Sequence, residues 1–230
     1  MAIEQPADVA VVDHRLLNWR FVVPSVPDGL LLLPAADEAG EVPGAVICDP
    51  GAGGPGATLT KLGAGPYPAV VLADVGRWAG SRRSGPDLLG RAAAAVAPGG
   101  WLYASFANPW YPLRSRSAAL TLAAASRAVR REGLQPISGW LAFPDQRTSA
   151  YLVPADGNAE LAYFMRTFFF PYASGSSARK VRIKQQALTL MRNAALLAPA
   201  SVRPRFAPAF ALVAERVAER VAERVAERPA

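Results

Sequence analysis

Residues 67–106, YPAVVLADVGRWAGSRRSGPDLLGRAAAAVAPGGWLYASF, read as a strand, a helix and a second strand in succession. Ala69–Ala73 is a short, β-branched apolar run, and a run apolar on both faces is the pattern of a strand buried inside a parallel sheet. Asp74 then stands at that strand's carboxyl end. Ser84 or Gly85 starts a helix with Pro86 in its first turn. Leu88, Leu89, Ala92, Ala93 and Val96 recur at helical spacing until Pro98-Gly99-Gly100 stops it. Trp101–Phe106 is the returning strand. Two strands joined through a helix make a parallel pair, so the unit predicts an α/β domain with a Rossmann-like, mostly parallel sheet.

Working outward towards the amino terminus, Gly29–Leu33 and Ala45–Cys48 are two further buried-strand candidates. Before them, His14–Val23 reads as a short helix or strand laid against the domain edge, with Trp19 and Phe21 as packing residues. Cys48 runs directly into Asp49-Pro50-Gly51-Ala52-Gly53-Gly54-Pro55-Gly56. Closely spaced glycines after a strand let backbone amides approach an anionic or polar ligand; the same composition also makes a plain surface turn. Gly51, Gly53 and Gly56 match the dinucleotide fingerprint in spacing. However, Asp49-Pro50 comes before it and only the short run Ala57–Leu62 is left for its helix.

On the carboxyl side, Asn108, Trp110, Tyr111 and Arg114 lie in a loop that leaves the end of a strand, where open α/β sheets place ligands. Asn108 would hydrogen-bond a substrate, Trp110 and Tyr111 would form an aromatic wall, and Arg114 would hold a carboxylate or phosphate. The alternative is a proline-stiffened loop whose aromatics cover the core. Ser115–Arg131 is helical by pattern, capped by Ser115 or Ser117 and stopped by Gly133. Pro136–Phe143 and Tyr151–Pro154 form a hairpin, with Asp145 and Arg147 at a solvated tip holding a local ion pair. Leu161–Tyr172 is rich in aromatics and Ala178–Leu197 is an amphipathic helix with Arg179, Lys180, Arg182 and Lys184 near its start. They read as a helical hairpin on the sheet, or as a lid, a partner-binding surface or an anionic-membrane contact. The repeat of Val213-Ala214-Glu215-Arg216 as far as Arg228 drifts around a 3.6-residue helix and reads as a solvated helical extension. The implied domains are an α/β unit over 1–157, a helical unit over 158–210 and a helical tail over 211–230.

Three stretches carry a resemblance to class I S-adenosylmethionine-dependent methyltransferases over about residues 45–154. AVICDPGAG (45–53) resembles the family's first motif, a strand followed by Asp-x-Gly-x-Gly. YPAVVLADV (67–75) resembles its fourth strand, and LLGRAAAAVAPGGWLYASF (88–106) its following helix and fifth strand. The resemblance implies S-adenosylmethionine as cofactor, with Asp49, Gly51, Gly53 and Asp74 binding it. In the family another helix and two strands separate the first motif from the fourth strand, whereas here Pro55–Pro66 alone does so. A second alignment makes Gly29–Leu33 the first strand and Ala45–Cys48 the second. Asp49 then becomes the ribose-binding acid, and Pro34-Ala35-Ala36-Asp37 takes the place of the glycine loop. The family also closes its sheet with a helix followed by an antiparallel strand pair.

Composition limits the remaining possibilities. The chain has 230 residues, 51% of them hydrophobic, one cysteine and one histidine. That is enough for one well-buried domain, and too little Cys and His for a disulfide framework or a Cys-based zinc site. His14 reads as a surface or structural residue. No metal site is expected. Met1–Asp13 has neither a basic start nor an unbroken apolar core, so a reducing, cytoplasmic setting is expected. The apolar runs are too short to cross a bilayer. The net charge of +7 comes without a zinc-finger, RNP or helix-turn-helix signature, so nucleic acid is not expected. Two functions follow. One is methyl transfer to a small-molecule, natural-product or peptide substrate. The other is a non-methylating scaffold that contacts a partner enzyme through residues 160–197.

Overall fold

The computed structural model describes residues 14–25, 30–32, 46–48, 65–79, 84–111, 119–168, 177–199 and 201–217. Among the described residues seven strands form one sheet in the order β2-β1-β3-β4-β7-β5-β6. They are β1 (Leu30–Leu32), β2 (Val46–Cys48), β3 (Tyr67–Leu72), β4 (Val96–Ala107), β5 (Leu134–Phe143), β6 (Tyr151–Pro154) and β7 (Ala209–Arg216). β2, β1, β3 and β4 pair in parallel, and β7 runs antiparallel to both β4 and β5. β5 therefore points the same way as β4, and the sheet is the Rossmann-like, mostly parallel one that the sequence predicts. The helices are α1 (Val75–Trp78), α2 (Gly85–Ala94), α3 (Leu122–Arg131), α4 (Asn158–Thr167) and α5 (Ala178–Leu197). A 3₁₀ helix covers His14–Phe21.

The two-residue period of the strands sorts the core into two layers. Val70, Leu72, Leu102, Ala104, Phe106, Phe210 and Leu212 face the helices and pack with Leu88, Leu89, Val129 and Phe164. Ala69, Val71, Tyr103, Ala211 and Val213 face the other way and pack with Trp101 and Trp19. The rings of Trp19 and Trp101 lie 6.2 Å apart. Trp19 thus packs as its sequence indicates, while Phe21 is exposed.

Several sequence boundaries move. α2 ends at Ala94, and Val96 already belongs to β4. Pro98-Gly99-Gly100 is therefore a bulge inside a twelve-residue strand, where the pairing with β3 slips between Tyr67 and Ala69. Gly99 has φ 76°, and a Cβ on Gly100 would fall 2.6 Å from the Pro68 carbonyl oxygen. Only glycine lets the two backbones approach that closely. α3 begins at Leu122 instead of Ser115, because the Thr121 hydroxyl accepts from the Ala124 N–H at 3.1 Å and caps it. Gly133, at φ 81°, ends it as expected.

The larger correction concerns the chain's end. The repeat pattern predicts a solvated helical tail for residues 211–216, and they are instead most of β7, paired on both sides between β4 and β5. Every residue from Ala209 to Ala214 is buried. The first copy of the Val-Ala-Glu-Arg repeat is strand, and Arg216 donates to the Ala93 carbonyl at the end of α2, 2.9 Å away. An α/β unit ending at residue 157 would lack a central strand. Residues 218–230 lie outside the described residues. In α4, Phe164 packs on Phe143 at 4.6 Å between ring centroids. This part of the aromatic segment covers the sheet, as the hairpin reading proposed.

Candidate functional site at the carboxyl ends of the parallel strands

From β1 the chain reaches β2 on one side, then crosses to β3 on the other. Between β1 and β3 the winding direction reverses, and open α/β sheets bind ligands in the crevice outside the strand carboxyl ends at such a reversal. On the β3 side that crevice is bordered by Ala73 and Asp74.

Asp74 has φ 56° and ψ 67°, the left-handed conformation. It is the one non-glycine residue with positive φ among the described residues. That backbone costs an L-residue about 1–3 kcal/mol, so it persists only where neighbours enforce it. Three contacts do so. The Asp74 N–H donates to Ser105 Oγ at 2.9 Å, Trp78 Nε1–H donates to the Ala73 carbonyl at 2.9 Å, and Gln146 Nε2–H donates to Asp74 Oδ1 at 3.1 Å. Ser105 Oγ in turn donates to the Gln146 carbonyl at 2.7 Å. A closed ring of hydrogen bonds thus ties the end of β3 to β4 and to the β5–β6 connection.

That connection is built, and is no solvated tip. Asp145 Oδ1 accepts from the N–H groups of Arg147 and Thr148 at 2.8 and 2.7 Å, forming an Asx turn. Ser149 Oγ donates to the Asp145 carbonyl, and Asn18 Nδ2–H donates to the Ser149 carbonyl. The geometry that holds Asp145 is what presents Gln146 to Asp74.

Burial pushes the Asp74 carboxyl above the usual range. The Gln146 hydrogen bond opposes this, the Asp145 charge adds to it, and Arg77 and Arg147 counter it. An acid whose folded pKa is raised lowers stability as pH climbs from its unfolded pKa through its folded one, and the cost is absent at lower pH. Asp74→Asn, which keeps the acceptor for Gln146, is therefore expected to raise the melting temperature at neutral pH. Parent and variant should converge below about pH 4. Melting curves across pH check this, and an unchanged difference at acid pH would contradict it. Among the described residues no hydrogen bond reaches the second Asp74 carboxylate oxygen, which leaves an acceptor at the crevice.

The other sequence-derived site residues distribute as follows. Asn108 is fully buried. It donates from Nδ2 to the carbonyls of Arg205 and Ala207 at 2.9 and 2.7 Å, and its Oδ1 accepts from the Trp110 N–H at 2.9 Å. All its side-chain hydrogens are thus committed to backbone. Trp110 is 60% exposed and has the Arg205 guanidinium over its ring at 5.5 Å. Burial pushes the Tyr111 hydroxyl up. Asp49, Gly51, Gly53 and Arg114 lie outside the described residues. Among the described residues no His, Cys, Asp and Glu side chains converge as a metal site, and no helix is long and apolar enough to cross a membrane. Sequence reading missed Ser105 and Gln146. A serine at an inward position of an otherwise apolar strand was the available signal; Gln146 had none.

No family model matches the sequence, and no curated protein does. Among solved structures the chain is similar to a protein from Galdieria sulphuraria assigned as a sarcosine dimethylglycine methyltransferase. The two are 10% identical with a TM-score of 0.40, over 89% of this chain and 85% of that one.

Proposed function

We propose that the chain is a methyltransferase-like protein that binds S-adenosylmethionine in the crevice between β1 and β3 and transfers its methyl group to a small molecule. The observation that carries the reading is the strained, buried Asp74 held by Ser105 and Gln146 at the point where the sheet's winding reverses. The motif resemblance of residues 67–106 supports it. So does the closing of the sheet, where α3 leads to β5 and an antiparallel β7.

The strand order also bears on which alignment applies. β1 lies beside β3, and β2 lies outboard of β1 with Cys48 level with Leu32. This order supports the alignment in which Leu30–Leu32 is the first strand and Val46–Cys48 the second. In that alignment Asp49, directly after β2, takes the role of the ribose-binding acid. Asp74 offers its free carboxylate oxygen to the cofactor or to the substrate's donor. Trp110 and Tyr111 are the candidates for the substrate side.

Bound S-adenosylmethionine would supply an electrophilic methyl on a sulfonium. The protein's task is then to hold donor and acceptor in line, which needs few acids and bases. Titration calorimetry with S-adenosylmethionine and S-adenosylhomocysteine tests the reading. Binding is expected, weakened about 10- to 100-fold in Asp49→Ala, the worth of a hydrogen bond to a charged group. Absence of heat with either compound at millimolar concentration would overturn it and leave a scaffold role for the fold.

A further inference from the structure

α5 is the one long helix whose outward face has no partner among the described residues. Its inner side is settled: Ala195 is buried, Leu196 packs on the core, and Val181 and Leu188 are half-buried. On the opposite side Ile183, Leu190 and Leu197 are 57, 70 and 87% exposed. With Ala187 and Ala194 they form the series 183, 187, 190, 194, 197, whose steps alternate four and three. That is a heptad seam, with large residues at one position and alanine at the other. Exposed large aliphatics in this order are a helix-packing surface, because scattered surface residues do not keep a 3.5-residue period.

We infer that this face docks against α5 of a second copy of the chain, antiparallel, to form a two-fold dimer. The volumes choose the orientation. In a parallel pair, alanine would meet alanine and leucine would meet leucine, leaving gaps in alternate layers. In an antiparallel pair, Ile183 meets the second copy's Ala194 and Ala187 meets the second copy's Leu190. The reciprocal contacts follow by symmetry, so each of these layers holds one large and one small side chain. Charge chooses the same orientation. α5 carries Arg179, Lys180, Arg182, Lys184 and Arg192 and no acidic residue. A parallel pair would set the two amino-terminal basic blocks side by side. An antiparallel pair separates them by about 20 Å along the axis, well beyond the screening length of ~8–10 Å at ordinary salt. Each block also comes beside the carboxyl end of the other helix, where the helix dipole is negative.

One helix pair is a small interface, so association in the micromolar range is expected. Sedimentation velocity of the full chain over a concentration series should show a monomer–dimer equilibrium that strengthens or holds with added salt. Leu190→Arg, at an exposed position, should abolish it without lowering the melting temperature. Orientation is read by cross-linking in a Cys48→Ser background: an equal mixture of Ala187→Cys and Leu190→Cys chains should oxidise to covalent dimer faster than either chain alone. Leu190→Cys linking faster by itself would overturn the antiparallel pairing. A chain monomeric at about 100 µM, or a dimer indifferent to Leu190→Arg, would overturn the interface. So would a monomer that cosediments with phosphatidylserine vesicles, loses them with salt and loses them in Leu190→Arg, which would assign the seam to an anionic membrane.

Discussion

A chain that stops at Pro208 is expected to lose cooperative folding altogether, whereas one that stops at Val217 keeps β7 and should still unfold cooperatively. β7 is paired on both sides, to β4 from Trp101↔Glu215 to Ala107↔Ala209 and to β5 from Leu134↔Arg216 to Ala142↔Ala209. Removing it leaves two ladders of backbone groups unpaired inside the molecule. It also strips Phe106 of Phe210, whose ring lies 6.1 Å away, and takes Leu212 and Val213 from the two core layers. Burial of a large aliphatic or aromatic side chain contributes about 1.5–3 kcal/mol, and a domain has about 5–15 kcal/mol in all. The loss of Phe210, Leu212 and Val213 alone consumes most of that. Circular dichroism melts of the two truncations decide the matter; a cooperative transition in the shorter chain would show that the remaining strands form a sheet without β7.

Asn108→Ala is expected to cost about 3–6 kcal/mol. The amide bridges the carbonyls of Arg205 and Ala207 and accepts from the Trp110 N–H, so its removal leaves three main-chain groups short of partners at about 1–3 kcal/mol each, with some recovery by water. Asn108→Asp should be worse than Asn108→Ala at neutral pH, because a carboxylate faces two carbonyl oxygens without a hydrogen to offer. It should recover part of its stability in acid, where the protonated carboxyl donates once. Denaturant unfolding measures both. A substrate-binding Asn108 would instead leave stability unchanged and alter ligand affinity. That outcome would return the residue to the role its loop position first indicated.

How far the site could be read from the sequence differs residue by residue. Asp74 stood out because it follows a β-branched run, and its place at a strand's carboxyl end is where the fold puts it. Its partners Ser105 and Gln146 are 31 and 72 residues away along the chain, and neither motif nor periodicity joins positions so distant. Asn108 was legible as a polar residue in a ligand-side loop. What it bonds to is a segment almost a hundred residues later, the approach to β7.

The same physical division holds for the whole molecule. The sequence by itself determined the elements whose signals are local: the buried run of β3, the helix α2, the hairpin of β5 and β6, and the two helices α4 and α5. Tertiary structure alone decided β7. Ala209–Ala214 is alanine-rich and adjoins a four-residue repeat, and alanine has the strongest intrinsic preference for helix. That preference amounts to a few tenths of a kcal/mol per residue, less than the stabilisation from burial between two strands that present unpaired backbone. It likewise decided the left-handed turn at Asp74, a conformation that aspartate tolerates better than most residues but does not by itself impose. Local sequence sets propensities of fractions of a kcal/mol, and long-range pairing outweighs them wherever a strand or a strained turn is surrounded on every side.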